Sequence, residues 1–317
     1  MGIGLQTVRV TGVTRHTPNI VSINLAPVGS DCLSAFDPGA HIDVHLPNGL
    51  VRSYSLMTSL TDSGHYRLGV LHDRQSRGGS AFIHKYLRAG VVLKVSLPRN
   101  NFPVSSAQQA VFIAGGIGIT PLLGMARQLA ERGAAVGLLY CVRSEEEMAF
   151  RDELDALSAD VSYHIDDRQG GAPDLLSFMQ GYPADTHFYC CGPAPMLNAF
   201  DRACSSLGIR HSHTERFSGA APPPPDAISK GYQVVLSRSG AQLYHDGKGS
   251  LLDVLIASGH TLSYSCKEGV CGACEVRVLE GALEHRDVVL STAERASGRT
   301  MMICVSGCTS ERLVLDI

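Results

Sequence analysis

Cys266, Cys271 and Cys274 stand in a C-x4-C-x2-C run inside SCKEGVCGAC, and Cys304 follows in MMICVSG. This is the plant-type spacing for the four thiolate ligands of a [2Fe-2S] cluster. A chain that carries it must bend one segment tightly around an inorganic core. Gly269, Gly272 and Ala273 supply small residues where that backbone approaches the sulfides. A structural zinc site normally uses C-x2-C pairs, and a disulfide framework suits small secreted chains, so both fit the spacing less well.

At 317 residues the chain is long enough for two or three ordinary domains. No apolar segment follows Met1, and no uninterrupted apolar stretch approaches about 18 residues, so neither secretion nor a membrane span is expected. The expected location is the cytoplasm. Of the ten cysteines, the six outside the ligand set are Cys32, Cys141, Cys190, Cys191, Cys204 and Cys308. In a reducing compartment these are expected as free thiols, most of them small buried hydrophobes. A net charge of −3 with interspersed signs leaves no broad basic field, which argues against a nucleic-acid partner.

Three segments differ in rhythm and predict a multidomain α+β chain. From Thr7 to Pro98, short alternating runs (Val21 to Leu25, His41 to Leu46, Val51 to Leu56, Tyr66 to Leu71, Val91 to Leu97) lie between turn signals, which predicts a β-barrel or sandwich. One helix interrupts it at AFIHKYL, with Ser80 as the expected cap. From Ala110 the pattern alternates strand and helix through VFIAGG, PLLGMARQLAERG, AAVGLLYCV, VSYHI, HFYCCG and APMLNAFDRACSSLG, which predicts a parallel sheet covered by helices. SGAAPPPPD then reads as an extended spacer. The last segment mixes strand-like YQVVLSR, AQLYHD, MMICVSG and RLVLDI with a helical LLDVLIASG around the cysteine loop. The expected domains are residues 1–104, 105–218 and 228–317, with a proline-rich linker at 219–227.

GGIGITP, Gly115 to Pro121, follows an apolar strand and opens a helix. Such a turn aims backbone N–H groups and the helix dipole at an anion, with Thr120 as expected N-cap and Pro121 at the first helical position. A diphosphate fits there, although the spacing departs from G-x-G-x-x-G and a purely structural turn is the alternative. In RSYSL, Arg52 can pair with a phosphate, Tyr54 can cover a ring face and Ser55 can donate to a ring nitrogen, unless the run is an ordinary half-exposed strand. RGGS, Arg77 to Ser80, is a second glycine turn entering a helix. His211 and His213 alternate on one strand and are expected as surface or core residues, not metal ligands.

In the order RSYSL, RGGS, PRNNFP, GGIGITP, YCCGP, ERF, the cysteine loop and VLDI, the whole chain resembles the phthalate dioxygenase reductase and vanillate O-demethylase reductase family. The resemblance implies an antiparallel β-barrel flavin domain, an α/β NAD domain and a small β-grasp plant-type ferredoxin domain. It implies that Arg52, Ser53, Tyr54 and Ser55 hold FMN, and that Gly78, Gly79 and Ser80 bind its phosphate. Thr120 would sit between the two cofactors, and Phe217 would pack on the flavin ring, although Arg216 stands where some relatives have a small residue. Gly115, Gly116, Gly118 and Pro121 would line the NADH site, and Cys191, Gly192 and Pro193 would face the nicotinamide ribose, with Ser55 and Cys191 the candidate catalytic residues. Arg143 would lie near the adenosine ribose, where Glu145, Glu146 and Glu147 would repel a 2'-phosphate or, alternatively, serve only as favourable charge at a helix start. Cys266, Cys271, Cys274 and Cys304 would hold the cluster. The implied activity is transfer of electrons from NADH through FMN and the cluster to a Rieske-type oxygenase, or to another hydroxylase, by a monomer that docks transiently near the cluster.

Overall fold

A computed structural model describes residues 4–29, 32–57, 64–74, 76–183, 185–219 and 230–317. Apart from Gly219, the expected spacer lies outside the described residues. The chain forms two compact units, one up to Arg216 and one from Phe217 to Ile317.

The first unit opens with six antiparallel strands, β1 (Leu5–Thr17), β2 (Ile20–Pro27), β3 (His41–His45), β4 (Val51–Ser55), β5 (Tyr66–Leu71) and β6 (Val92–Ser96). Their order is β4-β3-β6-β1-β2-β5. A bridge between Leu56 and Leu68, and a hydrogen bond of 2.9 Å from Met57 N–H to the Arg67 carbonyl, join the two ends of this sheet. It therefore closes as a barrel, and no edge is left on that side. Alternate residues such as Val8, Val10, Ile42, Val44, Leu68 and Val70 fill the interior, as the two-residue period of a strand requires. Helix α1 (Gly79–Tyr86) adds Ile83 to that core. Ser80 does not cap it: the helix starts two residues earlier, after Gly78 at φ 92°, and Ser80 lies inside it.

Five parallel strands follow, β7 (Gln109–Gly115), β8 (Ala135–Val142), β9 (Asp160–Ile165), β10 (His187–Cys191) and β11 (Ser212–Glu215), in the order β11-β10-β7-β8-β9. Helices α2 (Ile119–Glu131), α3 (Arg151–Asp155), α4 (Asp166–Gln169), α5 (Leu175–Met179) and α6 (Ala194–Leu207) connect them. Strand β7 is apolar and buried from Ala110 onward because both its faces are covered. Ala110, Phe112 and Ala114 pack with Leu122, Met125 and Leu129 of α2, whereas Val111 and Ile113 pack with Leu197, Phe200 and Cys204 of α6. The chain leaves β7 toward β8 and later returns to its other side as β10. The C-terminal ends of β7 and β10 therefore form the switch point where open α/β sheets bind ligands.

The second unit has the sheet order β13-β12-β18-β14-β16, from β12 (Tyr232–Leu236), β13 (Gln242–His245), β14 (Glu275–Glu280), β16 (Thr300–Met302) and β18 (Arg312–Leu315). A small pair, β15 (Leu283–Glu284) and β17 (Gly307–Cys308), stands beside it. The first and last strands, β12 and β18, run parallel. Helix α7 (Leu251–Ala257) is capped by Ser250, which accepts from Asp253 N–H at 3.0 Å, and it buries Leu251, Leu252 and Leu255 in the core. Helix α8 (Thr292–Ser297) carries a full capping box between Ser291 and Glu294. This is the expected β-grasp arrangement, with β14 as a strand that the sequence pattern did not announce.

On the first unit, three imidazoles form a stack along β10 and β11. His187 lies 4.3 Å from His211 and 5.7 Å from His213, whose ring stacks on Tyr189 at 4.5 Å. Burial, followed by the neighbouring imidazoles, lowers the pKa of His213, and its Nε2 is buried without a partner. A base with a lowered folded-state pKa binds fewer protons folded than unfolded, so its stability contribution is lost as pH falls below the ordinary histidine value. His213→Phe is expected to raise the melting temperature more at pH 5 than at pH 8, measured by thermal denaturation at both.

Candidate functional site

The two phosphate-competent features of the barrel meet in space. Arg52 on β4 crosses to the RGGS turn, where its Nη2 donates to the Arg77 carbonyl at 3.1 Å and its Nη1 to Val51 at 2.8 Å. A Cβ on Gly79 would lie 2.7 Å from Arg52 Cγ and Nε, so only glycine lets the arginine lie along the turn. Guanidinium and helix N-terminus thus converge in an arrangement suited to an anion. Tyr54 projects from the same face of β4 as Arg52, and burial pushes its phenol pKa up. Ser53 turns the other way, donating to Asp43 at 2.6 Å, and Asp43 also accepts from Arg99 at 2.7 Å. Ser55 is buried at the strand end.

Ser76 is a residue of this turn that sequence reasoning missed. Its hydroxyl oxygen accepts from Gly78 N–H at 3.2 Å and Ala81 N–H at 3.3 Å, and Ser80 Oγ lies 2.9 Å away. Ser76 therefore does the capping expected of Ser80. The signal available was a serine just ahead of the glycine pair.

At the switch point the GGIG turn and the CGP turn touch backbone to backbone. A Cβ on Gly118 would lie 2.1 Å from the Cys191 carbonyl oxygen, and one on Gly115 would lie 2.6 Å from Pro193 Cδ. A Cβ on Gly192 would meet Met196 Sδ at 2.8 Å. Gly116 has φ 53°. Gly116–Gly118 form a 3-10 turn, and α2 begins at Ile119 with Gly118 as N-cap. Thr120 and Pro121 are consequently inside the helix, not at its cap and first position, and Thr120 Oγ1 donates to the Ile117 carbonyl at 2.9 Å. These glycines clear a surface of backbone and dipole suited to a pyrophosphate.

The Cys191 side chain is fully buried, and burial followed by the nearby Glu215 carboxylate keeps it a neutral thiol. Glu215, in register with Cys191, is a second group that sequence reasoning missed: its Oε2 is buried without a partner, and burial pushes its pKa up to about 8. Beyond β8, Arg143 is exposed. Glu145 is paired with Arg168 and with Arg151, the latter at 3.5 Å. Its charge is therefore largely matched, and the unmatched acidic field there comes from Glu146 and Glu147.

In the second unit the four cysteines converge. The Cys266 thiol interacts with those of Cys271 and Cys304, and the Cys304 thiol with that of Cys274. Those contacts favour Cys266 as the first to ionise, with its sulfur also accepting from Glu268 N–H at 3.3 Å. Lys267, Gly269 and Gly272 take positive φ, which curls the loop. A Cβ on Gly269 would lie 2.6 Å from Val305 Cγ2. Four convergent thiols with backbone N–H donors fit an iron-sulfur core in donor type. Phe217 is 43% exposed and falls in this unit. Close by in sequence, Gly219 packs so tightly on the cysteine loop that a Cβ there would lie 2.3 Å from the Glu268 carbonyl oxygen.

A barrel with an anion cradle, a parallel sheet with a nucleotide switch point and a four-cysteine loop define a modular iron-sulfur flavoprotein reductase. Residues 112–202 match the oxidoreductase NAD-binding domain family, and residues 235–309 match the 2Fe-2S iron-sulfur cluster binding domain family. The chain is 41% identical over 312 residues to the phenoxybenzoate dioxygenase subunit beta of Ectopseudomonas oleovorans, covering 98% of this chain and 97% of that one. The crystal structure of phthalate dioxygenase reductase superposes with a TM-score of 0.72 at 33% identity, covering 99% of this chain and 98% of that one. An intact type IV self-sufficient cytochrome P450 monooxygenase superposes with a TM-score of 0.90 at 36% identity, and there this chain spans 99% of its own length and 41% of the longer protein. The chain belongs to the phthalate dioxygenase reductase family of NADH oxidoreductases that contain FMN and a [2Fe-2S] cluster.

Gly118→Ala must push the two turns apart, at a cost of roughly 1–3 kcal/mol in packing. It is expected to weaken NADH binding by about tenfold or more while FMN content stays unchanged, measured by anaerobic NADH titration and flavin absorbance.

Proposed function

We propose that this chain is the reductase of an oxygenase system and feeds electrons singly to a separate Rieske-type oxygenase. The observation that carries the proposal is the coexistence, in one chain, of an anion cradle at Arg52 and Gly79, a nucleotide switch point at Gly118 and Cys191, and a convergent thiol set. When bound, FMN takes a hydride from NADH and returns the pair as single electrons suited to a [2Fe-2S] acceptor.

In this reading Arg52 and the N-terminus of α1 at Gly78, Gly79 and Ser80 neutralise the FMN phosphate. Tyr54 covers the ring, and Ser53 and Ser55 line it through the β4 backbone. Gly115, Gly116, Gly118, Thr120 and Pro121 admit the NADH pyrophosphate, Gly192 and Pro193 border the nicotinamide, and Arg143 borders the adenosine. Cys191 presents its backbone to that site, and its neutral thiol adds no charge where a hydride must pass. Cys266, Cys271, Cys274 and Cys304 ligate the cluster. The domain limits are those at 104, 218 and 228. The ten cysteines are all free thiols, which suits a reducing cytoplasm. Among the described residues, no helix is long and apolar enough to cross a membrane. The working form is a monomer that docks its oxygenase briefly beside the cysteine loop.

A second acceptor class is a haem monooxygenase, favoured by the close superposition on the self-sufficient P450. The test is Cys271→Ser in the full chain. FMN content and NADH-to-ferricyanide turnover are expected to stay within twofold of wild type, while iron content and reduction of cytochrome c fall at least tenfold. Retained iron with retained protein-acceptor turnover would overturn the ligand assignment. Reconstitution with purified Rieske and haem oxygenases, scored by NADH consumption coupled to product, separates the two acceptor classes.

A further inference from the structure

Phe150 and Lys267 are the two non-glycine residues with positive φ among the described residues, and Lys267 lies in the cysteine loop. Phe150, at φ 60°, is the residue that opens α3 and is 3% exposed. A bulky residue held there is strained, and such strain persists only where the surroundings demand it. What surrounds Phe150 is the flavin barrel. Its ring lies 4.3 Å from the His16 ring on β1, and the Arg67 guanidinium on β5 lies 5.5 Å from its centroid. One turn along α3, Glu153 accepts two hydrogen bonds from Arg67 at 2.6 and 2.7 Å. Arg127 of α2 approaches the same carboxylate at 3.9 Å.

Between these contacts sits Gly69 on β5, two residues beyond Arg67 and on the same face of the strand. A Cβ there would lie 2.5 Å from Thr120 Cγ2, 3.1 Å from Met57 Sδ and 3.4 Å from Phe150 Cζ. Gly69 has an ordinary strand conformation, so its glycine is needed for space, not for φ. The missing side chain leaves a slot that Thr120 fills from the nucleotide domain, with Phe150 packed at its edge. Thr120 stands in the first turn of α2, which opens at the nucleotide switch point, and Phe150 follows the Glu145–Glu147 segment beyond β8. One barrel strand thus indexes both ends of the NADH site against the domain that carries Arg52 and Tyr54.

We infer that Phe150, locked by the Arg67–Glu153 pair at the edge of the Gly69 slot, is a positioning residue for hydride transfer, setting the nicotinamide against the flavin without touching either. The inference rests on the reductase reading above. Alignment of donor and acceptor is a term to which small displacements matter greatly, and a misplacement of about 1 Å from a distant substitution can cost on the order of a hundredfold in rate.

The experiment is stopped-flow reduction of the FMN-loaded full chain by NADH and by its 4-deuterated form under anaerobic conditions. In Phe150→Ala, FMN content and the NADH dissociation constant are expected within twofold of wild type. The limiting rate of flavin bleaching should fall about tenfold or more, with a deuterium isotope effect that depends more steeply on temperature. Arg67→Glu and Glu153→Arg should each slow the same step, and the charge-swapped double variant should recover most of it. A melting temperature that drops while the limiting rate stays within twofold would overturn the inference, since a purely structural joint behaves that way. If Phe150→Ala does not fold, Phe150→Leu and the charge-swap set decide on the same criteria. If wild-type protein is not bleached by NADH at all, the reductase reading fails, independently of Phe150.

Discussion

The chain can approach itself, or a cofactor, only where a side chain has been removed, and four such places organise the molecule. Gly79 admits Arg52 to the α1 turn, Gly118 admits the Cys191 carbonyl to the switch point, Gly69 admits Thr120 to the barrel wall, and Gly269 admits Val305 to the cysteine loop. At each, a Cβ would fall between 2.1 and 2.7 Å from its neighbour. Those separations are far inside van der Waals contact, so the alternative to glycine is displacement of backbone or of a packed side chain. Gly69 and Gly118 are space requirements, not turn requirements. Gly269 is both, since its φ is also positive.

The barrel strands were legible because one face of each is core and the other is not, which leaves a period of two in the sequence. Strand β1 was less so. Its pairing with β2 shifts register between Val10 and Gly12 and again between Arg15 and Thr17, and each shift breaks the alternation that would announce a 13-residue strand. Strand β14 follows at once on the turn that ends the cysteine loop, at Gly272 to Cys274, so its EVRVLE pattern was hidden behind the ligand motif ahead of it. The parallel sheet was easier, since β7 and β8 are apolar on both faces.

The candidate sites were legible to the extent that glycine and cysteine mark them. Cap positions were not: Ser80 and Thr120 satisfy the residue preference for caps, yet a left-handed Gly78 and a 3-10 turn at Gly116–Gly118 moved both helix starts upstream. Ser76, Glu215 and Phe150 were missed for a common reason. Each owes its role to a neighbour distant in sequence or to a backbone angle, and neither is encoded by residue type. A serine in a polar run, a glutamate at a strand end and a phenylalanine before a helix look ordinary until the sheet and barrel are assembled.

Glu215 shows how such an assembly changes chemistry. In water its carboxylate would be ionised at neutral pH. Here burial pushes its pKa up to about 8, and it faces Cys191 across β10 and β11 at the mouth of the nucleotide switch point. Because the folded state holds that proton more tightly than the unfolded one, folding gains from the group at low pH and loses that gain as pH rises toward 8. His213, on the same strand, contributes with the opposite sign. The neutral carboxyl and neutral thiol add no negative charge at the C-terminal ends of β10 and β11, beside a turn whose backbone N–H groups and helix dipole suit an anion. The charged groups that stand around these strand ends are set apart from them: Arg52 beside the α1 turn, the Arg67–Glu153 pair between barrel and sheet, and Glu145 paired with Arg151 and Arg168 beyond β8.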